Sequence, residues 1–214
     1  MHSLYDFIIE PIGSRYNNKK QVGDKELILN TEIFHHQHVN REAKVISIPT
    51  LVKTEVQPGD TVIVHHNVFR RWHNMQGVEK NSKSYINEKT YAIREDQVYA
   101  YKRNNKWNAL KGFCFVKPIK SYNKFDTNTE QPLMGVMKYL DKSLRMIEEG
   151  DLVGFTPDSE YEYIIDGEKL YRVFTQEISI KYEYKGKEEE AILENKPLEK
   201  REKTFKGFAE RRSK

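Results

Sequence analysis

Short apolar runs separated by polar turns recur along the chain, and this pattern predicts strands rather than helices. Residues 43–48 alternate between apolar and polar side chains, as a strand with one buried face does. Pro58-Gly59-Asp60 marks a turn before a β-branched run, and Asp166-Gly167 separates two apolar runs as the turn of a hairpin does. The sequence therefore predicts an all-β fold, with helix confined mainly to the C-terminal tail.

Three segments of the first half recur in the same order in the second half. Each pair shares its apolar positions and one marker: a proline, a Gly-Asp dipeptide or a tyrosine. The pairs are residues 7–12 with 114–119, 56–64 with 147–155, and 89–93 with 169–173. The distance between matched positions falls from 107 residues at the prolines to 91 at the Gly-Asp glycines and 80 at the tyrosines. This is typical of a tandem repeat whose second copy has shorter connections.

The repeat divides the chain into two modules and a tail. We predict a first module over residues 1–105, a second over 106–184 and a tail over 185–214, with Asn104-Asn105-Lys106 as a short linker. Pro197 would interrupt any helix in the tail. The net charge of +4 arises there, because residues 196–214 carry eight Lys or Arg against three Glu. The modules have no basic excess, so the charge does not point to nucleic acid.

Composition narrows the class of protein. Charged residues are 32% of the 214 and hydrophobic residues 37%, so surface and loops take a large share. No apolar run approaches the roughly 18 residues of a membrane span and no signal peptide is present, so we expect a cytoplasmic protein. The single cysteine, Cys114, lies within an apolar strand and is expected in the core. No phosphate-binding glycine loop or nucleophile elbow is present, so we expect neither an enzyme nor a cofactor.

Two clusters have residue types that bind ligands in other proteins. His35-His36-Gln37-His38 and His65-His66 could supply imidazoles to a metal, but no carboxylate or thiol pattern accompanies them, so surface histidines are the better interpretation and no metal is predicted. Arg70-Arg71-Trp72 could stack on a base and hold a phosphate. A solvated loop tip with Trp72 packed on its base explains the same residues, and nucleic acid is not the expected partner.

The longest polar connection, residues 13–41, contains one apolar triplet, Leu27-Ile28-Leu29. Such a triplet is either a short strand folded onto the core or an anchor for a partner. The matching connection of the second copy, residues 120–131, has no aliphatic triplet.

The order of these motifs resembles that of the chaperonin-10 (GroES-like) co-chaperonins, here in tandem. The second copy is the sharper match, with Gly135-Val136, Glu149-Gly150-Asp151 and the hairpin of residues 163–171 in family order. The first copy departs from the family, because the glycine pair usual before the triplet is missing and Pro49 stands where a glycine turn is common.

The resemblance implies two small, partly open β-barrels and two functional loops. It places Leu27, Ile28 and Leu29 at the mobile-loop anchor that binds the apical grooves of a chaperonin. It places the roof hairpin at residues 66–84, which contain Phe69, Arg70, Arg71 and Trp72.

The function implied is that of a co-chaperonin that caps a bacterial-type, GroEL-like chaperonin as a homo-oligomeric ring and assists protein folding. The divergence and the charged tail resemble co-chaperonins encoded by bacteriophages, which would act in the host cytoplasm. The alternative is a phage virion or scaffold protein that keeps the barrel for assembly only.

Deleting the tail, residues 185–214, is expected to leave the thermal unfolding of the modules nearly unchanged, because its apolar residues are too sparse to join a core. Differential scanning calorimetry of the full and truncated chains tests this expectation. A truncated chain that fails to fold would show that the tail is part of a module.

Overall fold

The fold is known from a computed structural model that describes residues 3–17, 19–28, 38–121 and 130–183. Within these ranges the regular structure consists of strands and short 3-10 turns, such as Glu95–Gln97 and Thr175–Glu177. All pairings between the strands are antiparallel. The predicted all-β fold is confirmed, whereas the predicted helical tail lies outside the described residues. The part of the chain that the structure describes contains no helix long and apolar enough to cross a membrane.

Contacts divide the chain into two compact units, Met1–Leu110 and Lys111–Lys214. The strands of the first unit are β1 (Phe7–Pro11), β2 (Lys19–Val22), β3 (Lys25–Ile28), β4 (Glu42–Ser47), β5 (Thr61–Val64), β6 (Arg71–His73), β7 (Glu79–Asn81), β8 (Tyr85–Asn87), β9 (Thr90–Ile93), β10 (Val98–Arg103) and β11 (Lys106–Ala109). Those of the second unit are β12 (Phe113–Lys120), β13 (Glu130–Leu140), β14 (Leu152–Phe155), β15 (Tyr161–Ile165), β16 (Glu168–Phe174) and β17 (Ile178–Lys181).

The two units have the same strand order. The first contains a seven-stranded sheet, β11-β10-β5-β4-β1-β9-β8, and two separate ribbons, β2-β3 and β6-β7. The second contains a six-stranded sheet, β17-β14-β13-β12-β16-β15. Leaving out β11, the two orders correspond strand by strand. The ribbons are insertions in the first unit, in the two connections that the sequence shows to be longer there.

The register of the strands is also repeated. Phe7 pairs with Ile93 in the first unit, and Cys114 pairs with Val173 in the second. The sequence offsets of 107 and 80 residues relate these two pairs. Because a slip of one residue would turn every side chain to the opposite face, a shared register keeps the same positions in both cores.

Cys114 belongs to the core of the second unit, as predicted. Its side chain is fully buried with Val116, Met137 and Phe155. Burial raises the pKa of the Cys114 thiol to about 12, so the thiol stays protonated and behaves as a small apolar group.

The Gly-Asp turn of the first unit ties β4 to β5. Gly59 has a φ of 93°, which favours glycine, and its N–H donates to the Val45 carbonyl at 2.7 Å. The Val45 N–H donates to the Asp60 carbonyl at 2.9 Å. The buried Asp60 carboxylate closes the turn by accepting the Gln57 N–H at 2.8 Å.

The Gly-Asp turn of the second unit makes the same bonds. Gly150 has a φ of 96°, and its N–H donates to the Met137 carbonyl at 2.8 Å. The Asp151 carboxylate accepts the Glu148 N–H at 2.7 Å. The motif is therefore repeated as a hydrogen-bonded structure and not only as a sequence.

Each turn aspartate also pairs with a cation on the last strand of the shared set. Arg103 of β10 lies 2.6 Å from Asp60, and Lys181 of β17 lies 2.5 Å from Asp151. Burial opposes ionisation of Asp151, but the hydrogen bonds from Lys181 and from the Glu148 N–H lower the pKa of Asp151 below its ordinary value. Each turn thus joins three strands.

The segment Asn104-Asn105 forms a hairpin turn rather than the predicted linker. Both residues have positive φ, 51° and 60°, which asparagine tolerates, and they connect β10 to β11. Trp107 of β11 is buried against the first unit. Residues 106–110 therefore belong to the first unit, and the division falls between Leu110 and Lys111.

Replacing Asp60 with alanine is expected to lower the free energy of unfolding by about 2 to 4 kcal/mol, because Arg103 loses its carboxylate and the Gln57 amide loses its acceptor. Urea unfolding followed by tryptophan fluorescence measures the change. Asp96→Ala removes an exposed carboxylate of the same unit and is expected to stay within about 0.5 kcal/mol of the parent. Equal losses in the two variants would contradict the role given to Asp60.

Candidate partner-binding surface

The predicted triplet begins in the ribbon β2-β3. The strands pair with each other around a turn at Gly23-Asp24, and Leu27 and Ile28 lie in β3. Leu29 lies outside the described residues. Leu27 is 53% exposed and Val22 is 55% exposed. Since Val22 pairs with Lys25, strand alternation places Val22 and Leu27 on the same face of the ribbon, which makes that face apolar.

Backbone hydrogen bonds close the stem of this connection. The Asn17 N–H donates to the His38 carbonyl at 2.7 Å, and the Asn40 N–H donates to the Arg15 carbonyl at 2.9 Å. Tyr16 and Val39 form an antiparallel bridge between them. The two ends of the connection are therefore held side by side.

Asn40 joins the stem to the sheet. Its buried side-chain amide donates to the carbonyls of Ile12 and Ser14 at 2.8 and 3.0 Å. Its side-chain oxygen accepts the Glu42 N–H at 2.9 Å. One side chain thus connects the end of β1 to the start of β4.

The second ribbon, β6-β7, contains most of the predicted roof hairpin. Arg71 and Trp72 lie in β6, directly after Arg70, and Arg71 forms an ion pair with Glu79 at 3.0 Å. The tip contains Met75, which is fully exposed.

Phe69 does not belong to the tip of that hairpin. Its side chain is fully buried, and its ring meets Tyr91 edge to face with centroids 4.7 Å apart. The chain therefore completes the core with Phe69 before it leaves as the ribbon.

Arg15 connects the stem of the first ribbon to the base of the second. Its buried guanidinium donates to the Phe69 carbonyl at 3.2 and 3.3 Å and to the Asn81 side-chain oxygen at 2.9 Å. The same group lies over the rings of Tyr85 and Tyr91, 5.3 and 5.6 Å from their centroids. Burial raises the pKa of Tyr91 to about 12, although the Arg15 charge acts in the opposite direction. Tyr91 therefore stays neutral beneath the cation.

Tyr16 makes a second connection between the ribbons. The Arg71 N–H donates to the Tyr16 hydroxyl at 2.7 Å, and the Arg71 guanidinium lies 5.2 Å from the centre of the Tyr16 ring. Arg15 and Tyr16 together give the two ribbons a common base.

The histidines do not form a recognisable metal centre in the described ranges. His65 and His66 stack with ring centroids 4.2 Å apart, while His35 and His36 lie outside those ranges. No group of three or more His, Cys, Asp or Glu side chains among the described residues is arranged to hold a metal ion.

Comparison with protein-family profiles finds no matching family, and comparison with curated proteins finds no significant match. Function is therefore inferred from the residues themselves.

Sequence reasoning missed Arg15 and Asn40, because their partners lie far along the chain and polar loop residues have no periodic signal. Val22 had a detectable signal, since it is an aliphatic residue directly before a Gly-Asp turn in a polar segment.

Replacing Arg15 with methionine is expected to lower the free energy of unfolding by about 1 to 3 kcal/mol, because the buried Phe69 carbonyl loses its donor. Amide hydrogen exchange should also accelerate at Asn17, whose N–H closes the stem. The control is Arg145→Met, which removes an exposed arginine. Unchanged exchange at Asn17 would show that Arg15 does not hold the stem.

Proposed function

We propose that the protein is a tandem GroES-like co-chaperonin that caps a bacterial-type, GroEL-like chaperonin and assists protein folding. In this proposal each unit is a partly open β-barrel, and the ribbon β2-β3 presents the anchor for the chaperonin. The observation that carries the proposal is the exposed aliphatic face of this ribbon, on a strand pair that is separate from the main sheet.

The ribbon has properties that suit a docking element. Leu27 is half exposed on a strand that pairs only with β2 among the described residues, so its side chain is available to a partner. Full burial of an aliphatic side chain contributes about 1.5 to 3 kcal/mol, and Leu27 would gain part of this on docking. Such a contact is weak alone, and several copies in a homo-oligomeric ring would strengthen it through avidity.

The asymmetry between the units suggests one anchor per chain. The second unit has no aliphatic triplet in residues 120–131. The number of chains, rather than the number of barrels, would then match the number of chaperonin subunits. The proposal needs no catalytic step and no cofactor, and for a phage-encoded protein it places the activity in the host cytoplasm.

Leu27→Asp is expected to reduce nucleotide-dependent co-sedimentation with a bacterial chaperonin at least about tenfold, because a charge at this position would have to be buried in an apolar groove. The melting temperature should change little, since Leu27 is already exposed. Ile28→Asp tests the next residue of the triplet in the same way. The matched control is Ile164→Asp, which changes an exposed aliphatic residue of the second unit and should bind normally.

Two results would count against the proposal. Normal chaperonin binding by folded Leu27→Asp and Ile28→Asp variants would remove the anchor. A sharp fall in melting temperature for both would make the triplet part of the structure, as the virion or scaffold alternative requires.

A further inference from the structure

A cleft of about 560 Å³ lies beside the ribbon β6-β7. Its described lining includes two cations, Arg70 and Lys83, the indole of Trp72, and the side-chain amides of Asn67 and Gln97. None of the described lining residues is a carboxylate. Its volume is within the range of small-molecule sites, and the charge of its walls favours an anion.

The cationic and aromatic groups of the cleft are available. The Nε of Arg70 is buried and makes no hydrogen bond with any described residue. Lys83 is exposed, and Trp72 is 38% exposed, with no ring contact or ion pair to another described residue for either. The adjacent Arg71, by contrast, is paired with Glu79.

The second unit has a cleft at the corresponding place with the opposite charge. The correspondence follows from matching hydrogen bonds, from His65 N–H to the Gln97 carbonyl at 2.9 Å and from Thr156 N–H to the Glu177 carbonyl at 3.0 Å. Gln97 lines the first cleft and Glu177 the second.

The second cleft is smaller, about 250 Å³, and its lining includes Asp158, Glu160 and Glu177 together with Arg172. Arg70 and Trp72 belong to the connection that is longer in the first unit. The cationic cleft is therefore an addition to the common fold.

We propose that the cleft of the first unit binds a nucleoside phosphate, either as a free nucleotide or as one residue of a single strand. Trp72 offers a flat face on which a base can stack. The fork of Arg70 can hold two phosphate oxygens, with Lys83 as a second cation. The amides of Asn67 and Gln97 can hydrogen-bond to base edges.

Titration of the full chain with AMP and with an oligothymidylate of about ten nucleotides tests the site. Quenching of tryptophan fluorescence reports binding, because the other tryptophan, Trp107, is buried. Adenosine, which lacks the phosphate, and ribose 5-phosphate, which lacks the base, are expected to bind at least about tenfold more weakly than AMP. Binding of both AMP and the strand, in competition, indicates a mononucleotide site, and binding of the strand alone indicates a single-strand site.

Arg70→Gln and Lys83→Gln are expected to weaken binding, Arg70→Gln by at least about tenfold, because a charge-assisted bond to phosphate is lost. Trp72→Leu should have a similar effect on binding of a fluorescently labelled strand, measured by polarisation. Lys53→Gln removes an exposed cation outside the cleft lining and is the matched control. Melting temperatures of the four variants should stay close to that of the parent.

Three results would overturn the proposal. The first is the absence of quenching by AMP and by the strand. The second is binding that the three cleft variants leave unchanged. The third is preferential binding of an acidic Glu-Tyr copolymer that depends on the same residues, which would make the cleft a protein-docking site. The assay contains no chaperonin, so its outcome is independent of the co-chaperonin proposal.

Discussion

The carboxylate of the Gly-Asp turn is the interaction on which both units depend. A glycine at positive φ lets the chain reverse before β5 or β14, and the following aspartate caps the turn through a backbone N–H. The same carboxylate pairs with Arg103 or Lys181 on the neighbouring β10 or β17. One side chain therefore sets the turn and fastens the strand that arrives about forty residues or fewer later, which is a long-range contact for a short-range motif.

A common register leaves the connections free to differ. The two sheets share their strand order and their paired core positions, so stability does not require loops of equal length. The first unit uses its longer connections for two ribbons, and Arg15 and Tyr16 give those ribbons one base. A change in one ribbon would be felt at the other through buried hydrogen bonds, while the sheet itself stays the same.

Charge differs between the units where the fold does not. The clefts beside Gln97 and Glu177 occupy corresponding places, yet one is lined by unpaired cations and the other mainly by carboxylates. A duplicated fold can thus keep its core and change its ligand chemistry by substitution and insertion at one connection. The same reasoning explains why the apolar anchor is present in the first unit alone among the sequence segments compared.

The sequence by itself determined the all-β class, the order of the repeated strands and the buried state of Cys114, because hydrophobic alternation and Gly-Asp turns are local signals. It also marked Leu27 and Ile28 as an isolated apolar element. It misjudged Asn104-Asn105, since two asparagines suit a linker and a hairpin equally and only the pairing of β11 with β10 distinguishes them. Phe69 looked like its neighbours in a loop, and only tertiary packing against Tyr91 places it in the core. The common base at Arg15 and the cationic cleft were decided by tertiary structure alone, because both arise from residues that are distant in sequence and have no periodicity of their own.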